Sequence, residues 1–369
     1  MKKGLKYCII TCLCLIATGS ALIGIGILNG GTVSYRVDFQ NRKLRTRTYN
    51  SEDYIEKTIA VDNFSKLDLN VDTTDVEIRK GENYQVAYNL PEDEIPSIEV
   101  KEQTLTVSGK KNVSSDFSSV CILNIGEYDA EDLNTITITV PEDAKISEAG
   151  INVENGDIQV KDMVCDTMDI TGNYGDIKLS NVTSEHAKLS SESGDISLNN
   201  IKLKDYTIAN EYGDLKISNS VGEKAVFDCD SVECELKRLE INDLHVANQY
   251  GEIKMEESTI STCEIDTEST EIKLEDCKGS TLKLEAEYDD IKIRNSVWDQ
   301  VQAHCESLEA DIDLIGQLSE YDLDLIAESG DIDVNGKDNG EKCKDIANRG
   351  KLISIENKYG DINISVKEQ

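Results

Sequence analysis

Histidine and arginine are scarce in this 369-residue chain, and the shortages remove whole classes of chemistry. The three histidines, His186, His245 and His304, fall at three different places in the repeat described below, so they cannot stack into a triad or a metal cluster. No G-x-S-x-G, H-E-x-x-H or phosphate-loop pattern occurs. The repetitive part holds only Arg238, Arg294 and Arg349, whereas a carbohydrate-active β-helix sets several acids beside a basic residue. Carboxylates are so abundant that no single pair is informative. No catalytic residue, cofactor site or metal site is therefore expected, and the chain reads as a non-enzyme. Positive charge is also short: 38 basic residues face 72 acidic ones, for a net charge of −34. Such a surface repels nucleic acid and anionic lipid, which excludes a polyanionic partner.

Paired cysteines are missing too. No C-x-x-C or Cys/His spacing points to zinc, and no two neighbouring repeats carry cysteine at the same offset. Of eleven cysteines, Cys8, Cys12 and Cys14 lie in an apolar N-terminal run. Most others occupy apolar repeat positions, where cysteine behaves as a small hydrophobe. Cys229, Cys234, Cys263 and Cys277 are expected to be free thiols. Proline stops at Pro141, after Pro91 and Pro96.

What the chain does have is a period. Ile158, Ile177, Ile196, Leu215, Cys234, Ile253, Ile272 and Ile291 are each 19 residues apart, and so are Ile151, Ile170, Leu189, Ile208, Phe227, Val246, Ile265 and Leu284. Self-similarity at a fixed step of about 20 residues is the mark of a solenoid. Each repeat reads as one short strand, a turn and a second short strand, with no room for a helix. The predicted fold is all-β: a parallel, right-handed β-helix in which each residue stacks over the one 19 positions on. Beyond Ile291 the step loosens to Ile312, Ile332 and Ile362.

Four regions precede or interrupt the coil. Residues 1–28 hold three lysines and then an apolar run over 5–28 whose one charge is Lys6, long enough to cross a bilayer as one helix. A cleaved signal peptide is the competing reading. Lys2, Lys3 and Lys6 place the N-terminus inside and the acidic body outside, against five basic residues that follow the run. Residues 29–55 read as a linker and 56–145 as irregular capping strands that pair with the first regular rung. Residues 146–369 form the regular coil, with a polar loop at 336–350 between two rungs.

The polar mark of each repeat is a turn, as in Tyr174-Gly175-Asp176, Ser193-Gly194-Asp195 and Tyr212-Gly213-Asp214. Its glycine suits a left-handed corner, although Val232, Thr270 and Asp289 replace it in the middle repeats. Its acids, Asp157, Asp176, Asp195, Asp214, Glu233, Glu252, Glu271 and Asp290, form a predicted structural ladder rather than a calcium site. Lys178, Lys216, Lys254, Lys273 and Lys292 follow two residues later and can pair across repeats. Tyr174, Tyr212, Tyr250 and Tyr288 alternate with Ser193, Ser231 and Ser269 up one corner. The plain reading packs each ring over the neighbouring serine; the functional one makes these tyrosines candidate surface contacts for sugar rings.

The strand Phe64-Ser65-Lys66-Leu67-Asp68-Leu69-Asn70-Val71, the run Thr135–Pro141 and the repeated Gly-Asp-Ile turns, behind an N-terminal anchor, resemble the bacterial "putative adhesin" β-helix family of unknown function. The resemblance covers about residues 59–369 and brings no site residues with it. It implies a single-pass protein of the cell membrane with an extracellular body, adhesin-like or an interaction scaffold, meeting a protein or glycan ligand at the surface. The alternatives are a polysaccharide-binding or polysaccharide-cleaving β-helix, and an accessory protein of envelope-stress signalling.

Overall fold

The computed structural model describes residues 33–38, 43–47, 54–109, 119–125, 133–288 and 290–368. The apolar run 5–28, and with it the expected anchor, lies outside the described residues. Among the described residues no helix is long and apolar enough to cross a membrane.

The chain divides into two compact units. The smaller takes in residues 1–56, 89–95 and 110–133. Its described strands, Val33–Asp38, Lys43–Arg47 and Ser119–Ile125, form a three-stranded antiparallel sheet with Val33–Asp38 in the middle. The linker reading of 29–55 is corrected accordingly. The alternation Val33, Tyr35, Val37 is a short strand signal that the surrounding basic residues obscure.

The larger unit holds residues 57–88, 96–109 and 134–369, so the stretch read as one capping block is shared between the units. It is a parallel β-solenoid. Ile158 pairs with Ile177, Ile177 with Ile196, Ile196 with Leu215, Ile253 with Ile272 and Ile272 with Ile291. These side chains are fully buried, because alternate residues of a strand face opposite sides and every odd member of the run points inward. The strands are longer than the two short segments expected. The first in each early rung spans 10 or 11 residues, as in Ile146–Asn155 and Val164–Tyr174. From Lys202 to Glu256 the backbone stays in ladder pairing without a break. The corners are extended enough to hydrogen-bond to the next rung, which carries the ladder around them. Buried Trp298 stands over Gly279, where a Cβ would lie 2.4 Å from the indole ring.

Both ends of the solenoid are out of sequence order. At the N-terminal end the rung built from Lys66–Val71 and Asp75–Gly81 lies under the first regular rung, with Leu69 beside Ile151 and Val76 beside Ile158. Thr104–Ser108 and Thr135–Pro141 come later in the chain yet stack outside it. The C-terminal end mirrors this. The chain's last rung, Lys351–Tyr359 with Ile362–Lys367, pairs directly with Ile291–Ser307 and Ala310–Ile315. The earlier segments Tyr321–Ser329 and Ile332–Val334 stack outside it. The loosened step is thereby corrected. Ala310 pairs with Ile291 and Ile312 with Ile293, so the interval stays at 19 until Ile362 slips in between Ala310 and Ile332.

Each outer edge is closed by antiparallel strands. Ser97–Lys101 covers Thr104–Ser108. At the other end Lys342–Asp345 pairs with Tyr321–Ser329 and Lys337–Asp338 with Ile332–Val334. The polar segment 336–350, read as a loop, is therefore an end cap, polar because its far side closes the sheet edge against water. Asp322 secures it by accepting hydrogen bonds from the N–H groups of Ala347 and Arg349 at 2.8 and 3.2 Å and from the Arg349 guanidinium at 3.1 Å.

Cys165, Cys229, Cys234, Cys263, Cys277 and Cys305 are buried, and Cys343, in the cap, is partly open. Burial pushes Cys277 up to about 11, Cys305 up to about 12 and Cys263 higher still. Cys234 is raised by its hydrogen bond with Cys229 and by burial. Thiolates are the reactive form, so these groups should resist alkylation in the folded chain. Mass spectrometry after iodoacetamide treatment of native protein is expected to find Cys343 labelled and Cys229, Cys234, Cys263 and Cys277 intact. After unfolding without reductant, all five should label. A linked Cys229–Cys234 peptide pair would refute the free-thiol assignment.

Candidate functional site

The Gly-Asp corner is the most regular polar surface of the molecule. Its glycines are there for close approach between rungs rather than for a common left-handed twist. A Cβ at Gly175 would stand 2.2 Å from the carbonyl oxygen of Gly156, at Gly194 2.1 Å from that of Gly175, and at Gly360 2.1 Å from that of Leu308. Where Val232 and Thr270 replace glycine, their side chains turn inward and are buried. Buried Asn248 ties these rungs together, donating to the carbonyls of Val232 at 2.9 Å and Tyr250 at 3.0 Å. The uniform left-handed corner lies six residues beyond the glycine position. Asp162, Asn181, Asn200, Asn219, Arg238, Glu257, Asp276 and Asn295 all have φ between 47° and 56°. Asparagine and aspartate tolerate that region best. Their amides also stack: Asn181 Nδ2 donates to Asp162 Oδ1 at 2.7 Å and Asn200 Nδ2 to Asn181 Oδ1 at 2.6 Å. This second corner went unread, although its Asn/Asp run at 19-residue spacing was there to find.

The acid ladder is held by backbone. Asp157 Oδ1 accepts from the N–H of Asp176 at 3.0 Å, Asp176 from Asp195 at 3.2 Å, and Asp195 from Asp214 at 2.9 Å. Asp290 extends the pattern to Glu309 at 3.4 Å. Lysines supply the counter-charge, within and across rungs. Lys178 lies 2.8 Å from Asp176 and 3.8 Å from Asp157, Lys216 is 2.6 Å from Asp214, Lys273 is 2.7 Å from Glu271 and 3.4 Å from Glu252, and Lys292 bridges Glu271 and Asp290. Lys254 departs from the expected pairing: it binds Glu256, not Glu252. Glu233 makes no ion pair among the described residues. Partial burial opposes ionisation of Asp176, but its bonds with Lys178 and the Asp195 N–H outweigh that and hold the carboxyl below its ordinary value. Glu271 is held low by Lys273 and Lys292. Among the described residues no three His, Cys, Asp or Glu side chains converge as metal ligands would. The histidines remain apart, each facing a single acid: Asp205, Asp266 and Glu356 respectively.

The tyrosines stand out from this corner. Tyr174, Tyr212, Tyr250 and Tyr288 are 50–53% exposed, and Tyr359 joins them at 62%. Ser193 is beside Tyr212, Ser269 between Tyr250 and Tyr288, and Ser307 between Tyr288 and Tyr359, with Ser329 beyond. The out-of-order last rung thus keeps the Tyr–Ser alternation that reading in sequence order would break. None of the five rings stacks on another aromatic ring among the described residues, and none of the five hydroxyls has a hydrogen-bond partner there. Half of each ring is left to solvent, more than packing over a serine accounts for.

Two solved structures share low similarity with the chain. A "putative adhesin" from Bacteroides fragilis NCTC 9343 is 14% identical, with 84% of this chain and 96% of that one covered, at a TM-score of 0.32. A "putative cell adhesion protein" from Clostridium sporogenes ATCC 15579 is 13% identical, with 85% and 98% covered, at a TM-score of 0.18. No curated protein matches. The family described as Toastrack DUF4097 matches twice in succession, over residues 64–227 and 223–365, which together take in every regular rung and both ends of the solenoid. The chain belongs to the Toastrack DUF4097 family.

Proposed function

We propose that this chain is a non-enzymatic, adhesin-like surface protein: a right-handed solenoid held to the cell membrane by the apolar run 5–28, its body outside, presenting one corner to a protein or glycan partner. The observation that carries the reading is the column of half-exposed tyrosines. The glycines and most of the acids of that turn are committed to structure. The turn acids bind backbone N–H groups and lysines, and the glycines make room for carbonyls. The tyrosines alone have no structural use for their outer faces, and exposed aromatics of this kind mark contact surfaces. The net charge of −34 suits an exported body, which stays soluble and is not drawn to anionic lipid. Two solved structures of low similarity are described as adhesion proteins, which agrees with this reading without adding weight to it.

Protease added to intact, wall-stripped cells that carry the full chain tests the topology. The expected result is loss of the acidic body and survival of a small anchored fragment. Full protection, while a known surface protein is digested, would put the solenoid inside and end the adhesin reading.

A further inference from the structure

The tyrosine column has a pitch, and the pitch selects a partner. Rungs are separated by about 4.8 Å, so tyrosines on every second rung recur at about 9.6 Å. A polyproline II helix places every third residue on the same edge at about 9.3 Å, from a rise of about 3.1 Å per residue. Over the four intervals from Tyr174 to Tyr359 the two series drift apart by only about 1 Å. An extended β-strand repeats on one face at about 6.7 Å and meets no successive pair of rings in step. Aromatic platforms are the usual receptors for proline-rich segments, since such a helix is already ordered before it binds.

The charge beside the column selects further. Glu192, Glu211, Glu268 and Glu287 each immediately precede a Tyr or Ser of the column and are exposed. None of them forms an ion pair among the described residues, unlike the acids on the other side of the column, which hold lysines. Glu154, first in the same row, is pushed up by burial and by the charges of Asp72 and Glu192. At the Tyr359 end Lys358 already pairs with Glu306 of the same row, so the uncompensated negative charge that a cation would relieve lies from Glu192 to Glu287.

We infer that the Tyr174–Tyr359 column is a docking track for a basic, proline-rich polypeptide segment in the polyproline II conformation, its prolines on the tyrosine rings and its Arg or Lys side chains on the adjacent glutamate row. This deepens the surface-protein reading by naming the class of partner. The contact itself does not depend on which side of the membrane the body lies.

Fluorescence anisotropy on the full chain in detergent tests it with three probes: the peptide (Pro-Pro-Arg)5, the flexible (Gly-Ser-Arg)5 of equal charge, and a glucosamine oligomer. The proline peptide is expected to bind, and to weaken as salt rises. Tyr250→Ala should weaken it about two- to fivefold, as an exposed aromatic–cation contact would. Joint replacement of Tyr212, Tyr250 and Tyr288 by Ala should weaken it about tenfold or more, with the circular dichroism spectrum unchanged. Equal binding of the flexible peptide would reduce the track to mere charge and overturn the proposal. So would binding of the glucosamine oligomer in preference to the peptide, or tyrosine variants that bind like wild type. These outcomes are read on purified protein, so they are separate from the protease result that tests cell-surface location.

Discussion

Ile196→Asp is expected to cost the solenoid more than about 4 kcal/mol, a range that burying a charge without a partner reaches. Ile196 is fully buried and sits in one column between Ile177 and Leu215. The neighbours above and below are hydrocarbon, so the new carboxylate finds neither a donor nor a cation. It must either stay protonated or drag water into the core. The rungs on both sides depend on that column, because a solenoid is stabilised only through nearest neighbours. A fall in melting temperature of about 6 °C or more is the expected readout. Ser197→Asp is the control. Ser197 precedes Leu198 on the strand and points outward, so its melt should stay within about a degree or two of wild type, as surface substitutions do. If Ile196→Asp melted like that control, the register would be wrong.

How much of this was legible follows from which interactions are local. The buried columns were readable because stacking acts at a constant 19-residue interval, and Ile158 to Ile291 keep it without a slip. The Asp–Lys edge was readable for the same reason, since Lys178 and Asp157 are brought together by one turn of the coil. The purpose of the glycines was not. Conformational freedom is a property of the residue alone, whereas Gly194 is needed because of a carbonyl on another rung. The ends were illegible for a further reason. Reading in order assumes that sequential segments are spatial neighbours, which holds for most strands but not here. Nothing in Ile362 itself says that it stacks on Ala310, 52 residues back, before Ile332. The cap at 336–350 looked like a loop because strands that close an edge are chosen for polarity. Tyr359 opens a Tyr-Gly-Asp turn like the others, but sequence order does not place it in the tyrosine column, because its position depends on that same exchange of rungs.

Truncation after Arg349 tests the exchange directly, and a large effect is expected from the loss of few residues. In a solenoid built in sequence order, removing the last rung costs one interface and leaves the rest standing. Here the last rung is internal. Ile353 pairs with Val301 on one side and Leu323 on the other, and Ile364 with Ile312 and Val334. Ile353, Ile355, Ile362, Ile364 and Val366 are all buried. Without them the outer rung 321–334 has no inner neighbour, and its own distance from 301–314 is a full missing layer. The cap on its far edge, including the Asp322–Arg349 contact, has then nothing to close. Limited proteolysis is expected to remove roughly residues 301–349 from the truncated chain, since segments cut off from their packing partners open first. The rungs from 146 to 290 should keep their resistance. Replacing Ile364 by Asp in the full-length chain should open the same segment, which separates the packing role from any effect of shortening. A truncated chain with the protease pattern of wild type would show that 321–334 stacks on 301–314 by itself, and the out-of-order end would have to be abandoned.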